Sequence, residues 1–149
     1  MSMCETKGDI APMNPNLRIL LVDDDIDIRI CISNLLHGGM HFSTVATAEN
    51  GLDALEHLER GFDAEKPFHI VISDYDMPKM NGAELLKKIK ADERFKSIQV
   101  ILMSGAYTLE DIPAENRGDV VEFFRKPPGD AVLESALQKA AHEILMASR

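Results

Sequence analysis

The chain has no tryptophan, only two cysteines and no apolar run long enough to cross a membrane. Cys4 and Cys31 lack the paired spacing of a zinc site or a disulfide framework, so neither kind of site is predicted. The N-terminus also lacks the apolar core of a secretory signal peptide. These absences predict a cytoplasmic protein without a membrane segment, in which Cys31 is a small core residue of a helix.

Positive charge is scarce as well, because 16 Lys and Arg stand against 25 Asp and Glu, for a net charge of -9. A surface this acidic repels phosphate backbones, which argues against direct binding of nucleic acid. The length of 149 residues fits one ordinary domain, and a hydrophobic content of 45% is enough for a core. We therefore expect a single globular domain.

Apolar runs of strand length alternate with segments of helical periodicity along most of the chain. Residues 1–16 lack any periodicity and contain Gly, Pro and Asn, so they are predicted to form a flexible leader. Strands are predicted at residues 17–22, 41–46, 68–73, 98–103 and 120–124. A helix is predicted after each strand. The first ends at Gly38–Gly39, the second spans residues 50–58 and the fourth spans residues 108–117. Asn81 is predicted to cap the third helix and Asp130 the fifth. This alternation predicts an α/β fold, a doubly wound parallel sheet with helices on both faces.

Polar residues stand at the carboxyl ends of four of the five predicted strands. They are Asp23, Asp24 and Asp25 after the first strand, Asp74 after the third, Ser104 after the fourth and Lys126 after the fifth. Open parallel sheets bind ligands at this edge. Clustered carboxylates take up protons unless a cation joins them, and an all-oxygen set of this charge suits Mg²⁺. A carboxylate nucleophile beside a metal ion, a lysine and a hydroxyl can accept a phosphoryl group.

Five segments of the sequence, between about residues 17 and 147, resemble a known family. They are ILLVDDDIDIR, AENGLDAL, VISDYDMPKMNG, VILMSGAY and FFRKP. In this order and spacing they are similar to the receiver domain of two-component response regulators, the CheY-like domain. The resemblance implies a single flavodoxin-like (βα)5 domain over residues 17–147, with the parallel strand order 2-1-3-4-5.

The resemblance also implies a role for each matching residue. Asp74 would be the phosphoacceptor, and Lys126 and Ser104 would contact the phosphoryl group. A switch pair would consist of Ser104 and Phe123. The ligands of Mg²⁺ would be Asp23, Asp24, Asp74 and the backbone carbonyl of Asp76. The bond between Lys126 and Pro127 is expected to be cis. Arg29 lies five residues after Asp24, as the family pattern requires, which favours Asp23 and Asp24 over Asp25 as ligands.

The function implied by the resemblance is signalling within a phosphorelay, not multi-turnover enzymatic catalysis. A histidine kinase or a histidine phosphotransfer protein would donate the phosphoryl group, and only slow autophosphorylation and autodephosphorylation would accompany it. A downstream effector protein would then bind the surface formed by the fourth helix, the fifth strand and the fifth helix. The resemblance allows a phosphorylation-dependent dimer, and it implies no direct contact with nucleic acid or membrane.

The sequence departs from the family pattern at several positions. Gly105 stands where alanine is usual, and Phe123 lacks the hydroxyl of tyrosine-bearing relatives. Pro113 predicts a short or distorted fourth helix, and residues 61–68 form a longer connection than a tight turn needs. The acidic side chain of Asp76 is predicted to alter the lifetime of the phosphate by repelling or orienting water.

Other interpretations remain open from the sequence. Taken alone, the three consecutive acids could cap the first helix and Lys126 could be a solvated lysine. The stretch DYD resembles the nucleophile motif of haloacid-dehalogenase-like phosphatases, although that family carries its nucleophile on the first strand and its acid pair late in the chain. A pseudo-receiver that no longer takes phosphate is a third reading, and the complete set of acids, serine and lysine argues against it.

Overall fold

The computed structural model describes residues 14–147, so most of the predicted leader, with Cys4, lies outside the described residues. Residues 14–16 form a turn at the start of the domain. The Leu17 N–H donates to the Asn14 carbonyl at 3.2 Å, and the Ser43 N–H donates to the Pro15 carbonyl at 3.0 Å. Hydrogen bonds therefore hold this end of the predicted leader against the domain.

Strands and helices alternate along the described chain, as the sequence predicts. The strands are β1 (Arg18–Val22), β2 (Thr44–Ala48), β3 (Ile70–Asp74), β4 (Gln99–Ser104) and β5 (Val120–Arg125). The helices are α1 (Ile26–Asn34), α2 (Gly51–Asp63), α3 (Gly82–Ala91), α4 (Ala114–Arg117) and α5 (Asp130–Ala147). The strands pair in parallel in the order β2-β1-β3-β4-β5, which confirms the predicted fold.

The sheet separates two hydrophobic cores, because neighbouring residues of a strand point to opposite faces. On one face, Leu20, Val71 and Leu102 pack with the buried side chains of α2 and α3. On the other face, Ile19 and Ile72 pack with those of α1 and α5. The central strands are buried on both faces, which explains their almost continuous apolar sequence.

The first helix contains the clearest disagreement with the sequence analysis. Cys31 is exposed, so the prediction that it is a core residue is wrong. The buried stripe of this region runs through Ile32 and Leu36, and Cys31 lies about 100° around the helix from Ile32. The α-helix ends at Asn34, but a π-helix continues it over Leu35–Gly39, so the helical segment does end at Gly38–Gly39, as predicted.

Two other boundaries differ from the prediction. The second strand begins at Thr44 instead of residue 41, because His41 has a positive φ of 63° that a strand does not accommodate. The second helix extends to Asp63, so the predicted loop over 61–68 is in part the end of α2. The Lys66 N–H then donates to the Gly61 carbonyl at 2.8 Å and closes a tight turn.

Two helices start within one residue of where the sequence places them. The Asn81 side chain accepts from the Glu84 N–H at 2.9 Å, and the Glu84 side chain accepts from the Asn81 N–H at 2.9 Å, so Asn81 caps α3 as predicted. Asp130 is the first residue of α5 instead of its cap, one position from the expected place. Its charge still favours the helix N-terminus.

The fourth helix is short, as Pro113 predicts. A 3₁₀ turn over Leu109–Asp111 precedes it, and α4 itself has 4 residues. The Arg117 guanidinium holds this segment by donating to three main-chain carbonyls, those of Leu109, Glu110 and Ile112 at 3.2, 2.8 and 3.0 Å. No helix within residues 14–147 has both the length and the apolarity to pass through a bilayer.

Candidate functional site

The carboxyl ends of the parallel strands bring the predicted polar residues to one edge of the sheet. Val22 of β1 pairs with Ser73 of β3, and Asp74 pairs with Met103 of β4, so Asp23 and Asp74 lie on adjacent strands. Ser104 ends β4 and pairs with Arg125, the residue before Lys126. The register of the sheet thus places the polar residues at the ends of β1, β3, β4 and β5 side by side.

Lys126 lies between two buried carboxylates. Its Nζ is 3.0 Å from Oδ2 of Asp23 and 3.1 Å from Oδ2 of Asp74. Asp23 is fully buried and Asp74 is only 3% exposed. The bond between Lys126 and Pro127 is cis, as expected from the sequence. Lys126 is therefore a member of the acidic cluster and not a lysine on the open surface.

The three acids named from the sequence can share one cation. Asp23, Asp24 and Asp74 each offer a carboxylate oxygen, and these oxygens lie within 4.8 Å of one another. The Asp25 side chain is used elsewhere, since it accepts from the Asp27 N–H at 2.9 Å and caps α1. The structure thus separates a helix cap, Asp25, from the acids that converge on Asp74.

Burial makes the charged form of these carboxylates unfavourable. Burial, reinforced by the negative charge of Asp23, raises the pKa of Asp74 to about 6. Burial also raises the pKa of Asp23, against the effect of its hydrogen bonds to the Asp25 N–H and to Lys126. Burial by itself would lower the pKa of Lys126, but its hydrogen bonds to both acids raise it overall. One lysine does not neutralise this cluster, so a divalent cation fits it chemically.

A second cation, Arg29, holds the main chain at the first acid. Its guanidinium donates to the Asp23 carbonyl from the first turn of α1. The Asp23 side chain in turn accepts from the Asp25 N–H at 2.9 Å. These contacts fix the turn between β1 and α1, and with it the direction of both Asp23 and Asp24.

An open cavity of about 300 Å³ lies over the acids. Its lining combines acidic, hydroxyl and cationic groups: Asp24, Asp25, Asp74, Asp76, Ser104, Gly105, Ala106 and Lys126. Asp76 is exposed, and its N–H lies 3.4 Å from Oδ1 of Asp74. The cavity therefore opens a path to the Asp74 carboxylate from solvent.

Ser104 and Phe123, the pair named from the sequence, occupy different places. Ser104 lines the cavity and is 1% exposed. Phe123 is not part of the lining; its ring is half-buried and lies 6.3 Å from the ring of Tyr75, centroid to centroid. Tyr75 follows Asp74 directly in the chain, so the Phe123 ring lies beside the residue next to Asp74.

The loop that follows β4 makes contacts with Ser104 and Tyr75 that were not predicted from the sequence. The N–H groups of Ala106 and Tyr107 donate to Oγ of Ser104 at 3.0 and 2.8 Å, and the Tyr107 ring lies 4.9 Å from that of Tyr75. A serine followed by small residues at a strand end is a signal for such a turn. The aromatic contact has no comparable signal in the sequence, because it joins two separate loops.

Comparisons with known proteins agree with this geometry. The model of the response regulator receiver domain family matches residues 19–138. The chain belongs to this family. The receiver is 35% identical over 129 residues to the chemotaxis protein CheY-3 of Vibrio cholerae, covering 87% of this chain and 95% of that protein.

Two further relatives support the family and the fold of the receiver. The chemotaxis protein CheY1 of Helicobacter pylori is 32% identical over 122 residues, which cover 82% of this chain and 94% of that protein. The solved signal receiver domain of an HD domain-containing protein from Pseudomonas fluorescens is 30% identical, with a TM-score of 0.71 over 86% of this chain and 97% of that one. The protein is thus a CheY-like receiver domain of two-component signalling.

Proposed function

We propose that this receiver accepts a phosphoryl group on Asp74 from a phosphohistidine of a histidine kinase or a histidine phosphotransfer protein. The observation that supports this most directly is the position of Lys126. Its Nζ is 3.1 Å from the Asp74 carboxylate, at the edge of a cavity that opens to solvent. A buried acid with a cation beside it and an open approach has the arrangement of a nucleophile.

Mg²⁺ is the cofactor that suits the donor set. Asp23, Asp24 and Asp74, with the backbone carbonyl of Asp76, would hold it, since hard cations prefer oxygen ligands and Mg²⁺ keeps several waters. When bound, the ion supplies positive charge that neutralises the acids and the oxygens of an incoming phosphoryl group. The same charge favours the ionised form of Asp74, which burial otherwise opposes.

The transfer step forms one bond and breaks one bond. An oxygen of the Asp74 carboxylate attacks the phosphorus atom, the P–N bond to the donor histidine breaks, and its electron pair returns to the imidazole nitrogen. The product is an acyl phosphate on Asp74. Lys126 pairs with the phosphoryl oxygens, and the Ser104 hydroxyl donates a hydrogen bond to one of them.

The new phosphoryl group then changes the equilibrium between two conformations. It replaces one negative charge by about two and adds three acceptor oxygens. Ser104 moves toward these oxygens, and the Phe123 ring enters the space that Ser104 leaves. Moving a switch from mostly off to mostly on takes about 5 kcal/mol of differential stabilisation, which buried, charge-assisted hydrogen bonds are able to supply.

The output is a change in protein binding. The surface formed by α4, β5 and α5 lies next to Phe123, and we infer that a downstream effector or a second phosphorylated receiver binds there. The chemistry is stoichiometric, apart from slow autophosphorylation and autodephosphorylation, so the chain acts as a signalling phosphoacceptor and not as a turnover enzyme. Its location in the cytoplasm stays a prediction.

The test is to incubate the protein with acetyl phosphate and Mg²⁺ and to separate the phosphorylated form on a phosphate-affinity gel. We expect one Mg²⁺-dependent phosphorylated band that Asp74→Asn removes and that Asp63→Asn, at an exposed acid on α2, retains. A band that persists in Asp74→Asn would refute the assignment of the acceptor. An unmodified wild type would support a pseudo-receiver, and sustained hydrolysis of small phosphoesters would support a phosphatase.

A further inference from the structure

The Ser104 hydroxyl is already oriented before any phosphoryl group arrives. A serine hydroxyl has two lone pairs and one proton. Its Oγ accepts from the N–H of Ala106 at 3.0 Å and from the N–H of Tyr107 at 2.8 Å. Both lone pairs are thus engaged, and the proton is the part of the group left for the cavity that Ser104 lines.

The two N–H donors belong to a loop with little packing of its own. Residues 105–108 are exposed, and a Cβ added at Gly105 would meet no atom within 4 Å. Glycine at this position also leaves the main chain more freedom than the alanine that is usual in the family. Some other contact has to fix the loop if its N–H groups are to keep their direction toward Ser104.

The Tyr107 side chain makes such a contact. Its ring lies 4.9 Å from the ring of Tyr75 at an interplanar angle of 57°, within the range of a favourable aromatic pair. Tyr75 is a rigid partner, since its N–H donates to the Met103 carbonyl at 2.8 Å and its carbonyl accepts from the Gly82 N–H at 2.7 Å. Its hydroxyl also lies 3.4 Å from the Asp111 carbonyl.

We propose that Tyr107 is a positioning residue for phosphoryl acceptance, which rests on the proposed function of Asp74. The ring of Tyr107, packed on Tyr75, fixes the loop over residues 105–107. Through its own N–H and that of Ala106, this loop directs the Ser104 proton toward the place where a phosphoryl oxygen arrives. Tyr107 itself contacts neither the acceptor nor the phosphoryl group.

The experiment compares the rate of phosphorylation by acetyl phosphate, at saturating Mg²⁺, in single and double variants. We expect Tyr107→Ala to lower this rate on the order of five-fold, the effect of losing one aromatic pair. Tyr107→Phe keeps the ring and should react at the wild-type rate. Leu109→Ala is the matched control, because Leu109 lies in the same segment and both residues are 41% exposed.

Two further measurements separate positioning from a general structural role. The affinity for Mg²⁺, measured by calorimetry, should be the same in Tyr107→Ala and wild type, because Ser104 is not a metal ligand. In a Ser104→Ala background, Tyr107→Ala should have no further effect on the rate, since residues that act through one group are not additive. Thermal unfolding of each variant verifies that the fold is intact.

Two results would overturn the inference while leaving the proposed function in place. One is a wild-type rate in Tyr107→Ala, and the other is the same loss of rate with and without the Ser104 hydroxyl. A wild-type protein that takes up no phosphoryl group would instead overturn the proposed function, and this inference with it.

Discussion

The ammonium group of Lys126 donates to the Asp23 carboxylate at 3.0 Å, across 103 positions of the chain. The same group is 3.1 Å from the Asp74 carboxylate, so two buried acids share one lysine. Without a further cation, the site therefore contains more negative charge than positive charge. The fold tolerates an arrangement that lowers its own stability, and this is typical of functional sites.

Asp74→Asn is expected to stabilise the metal-free protein near pH 7. The pKa of Asp74 in the folded state, about 6, lies above its usual 3.8, so the folded state binds the proton more tightly than the unfolded state does. Ionising this group hence costs stability at neutral pH, and the cost disappears as the pH falls through 6 toward 4. We expect a gain of about 2 kcal/mol near pH 7 in urea unfolding with chelator, shrinking toward pH 5.

The Asp63→Asn variant is the control for Asp74→Asn, because Asp63 is exposed. It should change the free energy of unfolding little at either pH. A metal-free Asp74→Asn protein that is less stable than wild type near pH 7 would contradict the prediction.

Lys126→Met should have the opposite effect. Removing the shared cation leaves Asp23 and Asp74 buried without a partner, which is expected to lower the free energy of unfolding by about 3 kcal/mol. Excess Mg²⁺ should restore part of this loss, as measured by urea unfolding with and without the ion. Lys139→Met removes an exposed ion pair with Glu122 and should cost less than about 1 kcal/mol.

Gly82→Ala tests the close approach of α3 to the carboxyl end of β3. A Cβ at Gly82 would lie 2.8 Å from the Asp74 carbonyl oxygen and 2.8 Å from the Tyr75 Cα, and both atoms are main-chain atoms that move only with the strand. We expect a loss of about 1–3 kcal/mol in chemical unfolding. Gly118→Ala, where no atom lies within 4 Å, should stay within about 1 kcal/mol of wild type. Equal effects of the two substitutions would show that the contact is unimportant.

His69 is expected to make stability dependent on pH. Its Nδ1 accepts from the Arg18 N–H at 2.9 Å, so the ring must be neutral there, and burial together with Arg18 lowers its pKa. The unfolded state then takes up the proton first. The neutral His69 ring therefore stabilises the folded state fully above the usual pKa of 6.5, and this stabilisation is lost as the pH falls below that value. Urea midpoints of wild type should fall over this range more steeply than those of His69→Gln, and parallel curves would rule the effect out.

Asp76→Asn should change the lifetime of the acyl phosphate. The Asp76 side chain is exposed beside the cavity, where a carboxylate is able to orient the water that attacks the phosphorus. We expect the acyl phosphate to have a half-life about two- to five-fold longer in the neutral variant. The half-life is measured as the loss of the phosphorylated band after the phosphodonor is removed. A shorter half-life would indicate that the carboxylate repels water, and an unchanged one would exclude both effects.

The order of the elements follows from the sequence because the buried strands and helices have distinct periods. The predictions from the sequence are wrong where tertiary contacts decide which residue is buried or where a strand begins. The α1 region contains apolar residues on more than one side, and only the packing against β1 and α5 selects Ile32 over Cys31 for burial. The start of β2 depends on the backbone of His41, which has a positive φ. Glycine or asparagine would have signalled such a φ in the sequence more strongly than histidine does.

The site was predictable to the extent that strand ends position it. Asp23, Asp74, Ser104 and Lys126 each end a strand or directly follow one, so parallel pairing is enough to bring them together. The contacts of Arg29 with the Asp23 carbonyl and of the 105–107 loop with Ser104 involve main-chain atoms. Every residue type carries main-chain atoms, so the sequence points to Arg29 and to a turn at Ser104 but does not specify which atoms they contact.

The hydrogen bonds of Arg117 to the segment before α4 affect which substitutions the protein tolerates there. A single guanidinium satisfies three carbonyls there, and the side chains of residues 105–111 are exposed. Beyond residues 105–107, which hold Ser104, substitutions in this segment therefore cost little stability as long as Arg117 and the buried Ile112 are retained. Variation at residues 108–111 is therefore able to change this patch of the receiver surface without moving the strand ends that hold Asp23, Asp74 and Lys126.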